Sequence, residues 1–393
     1  MLARYALASR RCFLTGSLAT LAIAPAAIGR VRGEDALDTF LKVQMKSGGI
    51  PGLAVGLARS GQVLLARGYG YADMASRRPV TVDSMFHIAS ITKTVIATGI
   101  MMLAEEGRIS LDEPVNRHLD FPVVHPAAPQ DAITARHLLT HMSGISDATY
   151  YDVDFRTPGK DSPLGLGEFL RSYLVPGGSH YTPSGSYAKA APGQTYNYCN
   201  VGYGLLGYLG GRIAGMDFRT YLQRRLFAPL GMKRLSWTLA DVPPRLRVIP
   251  YDESEGHLSP VEPVGFPDWS AGMLRASISG FMPFLAASAN RGAAGRARML
   301  RAPAMAQMLE MHQPPGLPTW LTGQGLGWMQ SDEGGVSRIN HWGGDPGVFT
   351  AAYIDPASMA GVAIFTNTSA TAASRAAIRA IASHLLDHAR STP

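Results

Sequence analysis

The sequence predicts an α+β fold: an antiparallel sheet flanked by N- and C-terminal helices, plus a mainly helical second lobe. Three observations lead there. Strand-like runs occur near both ends of the chain, Leu53 to Ala58 and Val63 to Tyr69, then four more between Gly325 and Thr366. The first two are joined by Ser60-Gly61, a two-residue turn that makes them a hairpin and their pairing antiparallel. Between the two strand-rich parts, from Leu111 to about Ala289, Pro and Gly punctuate short helical patterns.

The bulk properties fit a compact enzyme. The chain has 393 residues, of which 46% are apolar and 17% charged, enough for a large core and against disorder. The formal charge is +7, yet no dense basic run lies outside the N-terminus, so nothing points to nucleic acid.

Taken in order, the chain opens on a targeting segment. Ser9-Arg10-Arg11-Cys12-Phe13-Leu14 is a twin-arginine pattern, followed by an Ala-rich apolar stretch to Ile28 with a small-x-small site at Ala24-Pro25-Ala26. Residues 1–30 therefore read as a signal, with export to a bacterial periplasm or medium and no stable membrane span in the mature chain; a retained anchor is the alternative. Cys12 would leave with that segment and Cys199 remain alone, so no intramolecular disulfide is expected.

Glu34 to Lys46 is helix-like, with Leu37, Phe40, Leu41 and Met45 on one side. The hairpin follows, and Asp73 to Asp83 leads to a long apolar helix from Ser90 to near Gly107. Further helices are expected at 136–140, 202–214 and 218–226, and an Ala-rich amphipathic one at 370–389. The expected strands near the end are 325–330, 338–342, 349–354 and 360–366. The stretch 146–191, rich in Gly, Pro, Ser and Tyr, reads as a long loop, either a wall or lid over the site or a surface insertion. The expected division is an α/β domain of 34–110 and 290–393 and a helical domain of 111–289 carrying that loop.

Chemistry concentrates first at Phe86-His87-Ile88-Ala89-Ser90-Ile91-Thr92-Lys93. Ser at a helix start can cap a free N–H. Lys on the first turn of an apolar helix is harder to explain, because a buried ammonium is costly. Residues three apart share a helix face, so Ser90 and Lys93 sit side by side, and an amine of depressed pKa beside a hydroxyl makes a nucleophile. Ser-x-x-Lys arises by chance on the order of once in a chain this long. A second match, Ser186-Tyr187-Ala188-Lys189, lacks helical periodicity and is set aside.

Two further segments supply partners. In Tyr198-Cys199-Asn200, a phenol can pass a proton and an amide can hold a substrate carbonyl while bonding to Lys. In His341-Trp342-Gly343-Gly344-Asp345-Pro346-Gly347, glycines permit close approach, a backbone N–H can face an oxyanion, and His341 offers a polar or cationic group. Each segment alone also reads as an ordinary turn. No Gly-x-Ser-x-Gly elbow exists, and His137 and His141 lack the Glu that a zinc-protease helix needs. Cys199 reads as a small buried residue, and the glycines of 323–327 follow no phosphate-binding pattern. No cofactor or metal is implied.

In this order and spacing the three segments resemble the serine beta-lactamase and penicillin-binding-protein superfamily, in its class C-like branch. Gly52-Leu53-Ala54-Val55-Gly56, Ile133 to Gly144, Pro229-Leu230-Gly231-Met232 and Ser270-Ala271-Gly272 add to the likeness. The resemblance implies a beta-lactamase/transpeptidase-like fold with Ser90 as acylated nucleophile, Lys93 accepting its proton or holding it by hydrogen bonding, and Tyr198 shuttling a proton to the leaving group and later activating water. It further implies that Asn200 orients substrate, and that the N–H groups of Ser90 and Gly344 form the oxyanion hole. His341-Trp342-Gly343 stands where lactamases carry Lys-Thr-Gly, which is closer to the peptidase and esterase members. The expected function is an exported serine hydrolase of a small-molecule ester, amide or peptide, of esterase or D-amino-acid peptidase type. The alternatives are a beta-lactamase, an acyl transferase, and a beta-lactam-binding sensor that never turns over.

Overall fold

The computed structural model describes residues 34–254 and 256–391, so the twin-arginine segment lies outside the described residues. Helix α1 (Glu34–Ser47) precedes strands β1 (Gly52–Arg59) and β2 (Gln62–Asp73). Ser60 and Gly61 both adopt left-handed φ, 51° and 76°, as a tight hairpin turn with the right twist demands. The long apolar helix is α2 (Thr92–Glu105), and α3 (Leu166–Leu174), α4 (Asn200–Ala214) and α5 (Ile278–Ala289) follow. The chain ends in β3 (Met329–Asp332), β4 (Ser337–Asp345), β5 (Val348–Asp355), β6 (Ala360–Thr366) and α6 (Ala372–Ser391).

The main sheet runs in the order β3-β4-β5-β6-β1-β2, with the two-residue strands Gly323–Gln324 and Arg78–Pro79 at its edges. Every pairing is antiparallel. The early and late parts of the chain meet at β1–β6, in register from Leu53 opposite Thr366 to Arg59 opposite Ala360. Alternate side chains of these strands point to opposite faces. On one face stand Ala54, Gly56, Ala58, Gly361 and Ala363, small enough for α5 to lie close. A methyl at Gly56 would come within 2.4 Å of the Met282 sulfur, and one at Gly361 within 2.8 Å of Leu285 Cγ. The larger Val55, Leu57, Val362 and Ile364 have the opposite parity, and α6 also packs against β1, β5 and β6. With both faces covered, Leu53 through Ala58 are all buried.

Three expectations need correction. Residues 278–289, placed with the helical domain, form α5 and pack on the sheet, because Gly56 and Gly361 leave room for a helix there. The stretch 146–191 is not a plain loop. It contains α3, whose Phe169, Leu170, Tyr173 and Leu174 are buried, and short helices at Ala148–Val153 and Pro183–Ser186. The strand expected from Gly325 starts at Met329; Gly327 takes φ 77° and turns the chain against Ala97. Among the described residues no helix is long and apolar enough to cross a membrane.

Candidate active site

Ser90 lies in a single 3₁₀ turn, Ala89–Ile91, that runs directly into α2. It does not cap the helix as its position suggested: neither turn has a side-chain cap. Ala89 instead holds φ 45°, a conformation that an L side chain adopts at a cost of roughly 1–2 kcal/mol. A backbone bent this way one residue before a hydroxyl is the kind of strain that positions a reacting group.

One turn on, Lys93 is fully buried. Its Nζ has three partners: Ser90 Oγ at 3.0 Å, Asn200 Oδ1 at 2.8 Å and the Ala271 carbonyl at 2.7 Å. Burial lowers its pKa to about 8, against the opposing pull of Asp268, Asp147 and Cys199. The nitrogen also lies 4.9 Å from the centre of the Tyr198 ring. The Tyr198 phenol is hydrogen-bonded to Ser90, and burial drives its pKa well above the ordinary value, so the resting group is a neutral phenol.

Asn200 opens α4, and its placement has a cause that the sequence reading missed. The buried Asp147 accepts from the N–H of Asn200 (2.6 Å), the N–H of Val201 (3.1 Å) and the Cys199 thiol (3.0 Å). A carboxylate at a helix N-terminus satisfies donors the helix cannot. Burial still raises its pKa, which those hydrogen bonds offset in part. Asn200 Nδ2 donates to Tyr151, which leaves Oδ1 free for Lys93. His141 stacks on Tyr198 with ring centres 4.3 Å apart and accepts from the Cys199 N–H. A second buried carboxylate, Asp268, accepts from Tyr150 at 3.0 Å, and desolvation raises its pKa to about 7.

The far wall is the end of β4. Strand β3 pairs β4 only as far as Asn340, so beyond it one edge of β4 faces the Ser90 turn. Gly343 is needed for the fold: a Cβ there would sit 2.4 Å from the Ile88 carbonyl. Gly344 has open space where a side chain would be, and lines the cleft. His341 departs from expectation. It is 1% exposed, its Nδ1–H donates to the Trp342 carbonyl (2.8 Å), and burial together with the Lys93 charge lowers its pKa to about 3. It is a neutral ring that does not line the cleft, because strand alternation turns it inward while Trp342 faces outward. Asp345 does line the cleft; burial raises its pKa to about 6 although Arg156, 4.0 Å away, favours the charge.

The cleft above Ser90 measures about 590 Å³, within the range that holds a small molecule. Ser90, Tyr198 and Asn200 form part of its floor, with Lys93 beneath. The second tetrad, Ser186 to Lys189, is not among its lining residues.

The chain belongs to a known class of protein. The Beta-lactamase family model matches residues 37–386, and the chain is a member of that family of serine hydrolases. Protein flp of Staphylococcus aureus (strain MW2) is 28% identical over 202 residues, 51% of this chain and 38% of the relative. A penicillin-binding protein of Bacillus subtilis (strain 168) is 30% identical over 175 residues, covering 44% and 35%. The chain thus spans little more than a third of the length of these curated relatives. Among solved structures, D-amino acid amidase from Ochrobactrum anthropi SV3 superposes with a TM-score of 0.71 at 24% identity, covering 91% of this chain and 100% of the other. EstCE1, described as a hydrolase with promiscuous acyltransferase activity, gives 0.71 at 19%, covering 88% and 98%. A class C beta-lactamase gives 0.69 at 19%, covering 90% and 95%. At these identities the structures share the fold.

Proposed function

We propose that this chain hydrolyses a small ester or amide through an acyl-enzyme on Ser90. The observation that carries the reading is the threefold environment of Lys93. Asn200 Oδ1 and the Ala271 carbonyl can only accept, so they fix two N–H bonds of the amine. The third direction points at Ser90 Oγ, which can give a proton as well as take one. A neutral Lys93 therefore presents its lone pair to the hydroxyl and nowhere else.

Chemistry follows from that. Lys93 takes the Ser90 proton as Oγ attacks the substrate carbonyl, and the developing oxyanion lies against the N–H groups of Ser90 and Gly344. As the carbonyl–leaving-group bond breaks, Tyr198 gives its proton to the departing oxygen or nitrogen, and the Lys93 ammonium, its nitrogen 4.9 Å from the ring centre, balances the phenolate until that phenolate takes a proton from water. Water then enters by the reverse of these transfers, and the acid product leaves Ser90. A resting phenolate is disfavoured by the burial of Tyr198, which leaves Lys93 as the first base.

Esters and small amides are favoured over beta-lactams. The buried, neutral His341 offers no charge to a substrate carboxylate. Trp342 adds bulk to the cleft wall, and Asp345 is anionic above about pH 6. The test is labelling by a fluorophosphonate probe, with peptide mapping, beside rates on p-nitrophenyl esters, nitrocefin and a D-alanyl-D-alanine peptide. The probe should map to Ser90 and the ester rates should lead. Labelling at Ser186, or stoichiometric labelling with no multiple turnover on any substrate, would overturn the reading.

A further inference from the structure

We infer that a stacked pair of indoles, Trp320 and Trp342, forms a subsite for the leaving group and selects esters of flat, apolar alcohols such as arylmethanols. The inference rests on the acyl-enzyme reading above and names its substrate class.

Trp342 is held as a fixed platform. Its indole N–H donates to Tyr353 (3.0 Å), Phe349 meets it edge-on at 6.3 Å, and the Arg379 guanidinium lies 5.1 Å from the ring centre. Trp320 stacks on it nearly parallel, with centres 5.7 Å apart and planes 12° apart. Yet Trp320 remains 50% exposed. Both rings line the cleft. A large aromatic left half open at the wall of a cleft is apolar area awaiting a partner, since covering such a ring is where its energy lies. The ring has also given up freedom already by stacking, which lowers the entropic cost of binding something against it.

Its position in the cleft decides which half of the substrate it meets. Leu321, the next residue, packs in a small cluster with Tyr196 and Met329, and Tyr198 packs against that cluster. The shelf is therefore on the Tyr198 side of Ser90. Tyr198 is the group that gives its proton to the departing oxygen when the acyl–oxygen bond breaks. An alcohol leaving beside Tyr198 leaves across the Trp320–Trp342 shelf, while the acyl carbon stays on Ser90.

The experiment compares three esters with Trp320→Ala and Trp320→Phe. Benzyl and methyl butanoate differ in the alcohol, and their two alcohols have nearly equal acidity. Methyl phenylacetate against methyl butanoate varies the acyl group instead. The benzyl-to-methyl ratio of kcat/KM should fall about tenfold in Trp320→Ala, the scale of one stacked ring with its covered area, and recover largely in Trp320→Phe. An unchanged ratio overturns the subsite, and collapse of the acyl ratio instead would assign the indole to the acyl side. Saturation-transfer NMR of benzyl alcohol with Ser90→Ala tests the shelf without turnover. Binding should weaken about tenfold when Trp320→Ala is added. Equal binding overturns the shelf even if ester hydrolysis is established, and weakened binding sustains it even if no ester turns over.

Discussion

Two segments of this chain, Ser90 to Lys93 and Ser186 to Lys189, carry the same hydroxyl and amine at the same spacing and have opposite fates. The first lies on a 3₁₀ turn that continues into α2, so its fourth residue comes back beside the first, and Nζ reaches Oγ at 3.0 Å. In the second, Ser186 ends a one-turn helix and Tyr187 is extended, with φ −134° and ψ 142°. An extended residue there breaks the helical return that would bring position 189 back beside 186. Ser186 is also fully buried, its Oγ accepting from the Thr182 N–H at 3.2 Å. A hydroxyl and an amine make a nucleophile only when the backbone between them is helical and the pair opens onto a cleft.

The largest break in that comparison is Ser90→Ala, expected to lower kcat by at least ~10⁴-fold. Ser186→Ala should leave kcat in place and cost about 1 kcal/mol of stability in urea unfolding, the worth of one buried hydrogen bond. Lys93→Ala comes next, at about 10³-fold in kcat, and Tyr198→Phe at about 10²-fold, both with smaller changes in KM. Effects confined to KM would make those side chains binding groups.

A pH profile sharpens the comparison further. In the proposed mechanism the useful form of Lys93 is the neutral amine, and its folded pKa is lowered to about 8 by burial. So kcat/KM should rise with pH and level off above about 8. Asp268 holds the ammonium form up, as the foremost of the charges opposing burial. Asp268→Asn should therefore move that limb to lower pH while Tyr150 keeps an acceptor. A limb that stays in place would remove Asp268 from the circuit. The smallest effect is expected at Ala89, whose backbone is left-handed at φ 45°. Ala89→Gly should raise stability by about 1 kcal/mol in the same urea assay.

What the sequence revealed follows from where each signal resides. The β1–β2 hairpin was legible because Ser60-Gly61 announces its turn, and β5 and β6 because buried strands read as continuous apolar runs. Ser90, Lys93, Tyr198 and Asn200 were legible as candidates because local pattern and family likeness coincide there. Helix α3 was hidden by flanking Gly and Pro, although Phe169, Leu170, Tyr173 and Leu174 repeat at helical spacing. The burial of His341 was lost because a motif names the residue but not which way the strand turns it. Asp147 and Asp268 carried no local mark at all. Asp147 acts on Asn200 across 53 positions, and Asp268 belongs to the turn whose Ala271 meets Lys93 across 178. Such pairs become visible only once the fold has brought them together.

The β1–β6 pairing has a consequence for how the molecule is made. Strand β1 is complete by Arg59, yet the strand on one of its edges, Ala360–Thr366, emerges some three hundred residues later. Closing so long a loop is slow, because its entropy must be lost before the pairing returns anything. Until then β1, apolar on both faces, offers a row of unpaired N–H and C=O groups to any neighbouring strand. The last strand acts as the protective cover of the first. A nascent chain of this protein is therefore most vulnerable to aggregation during the whole interval in which its middle is being synthesised, and a truncation before Ala360 would make that exposure permanent.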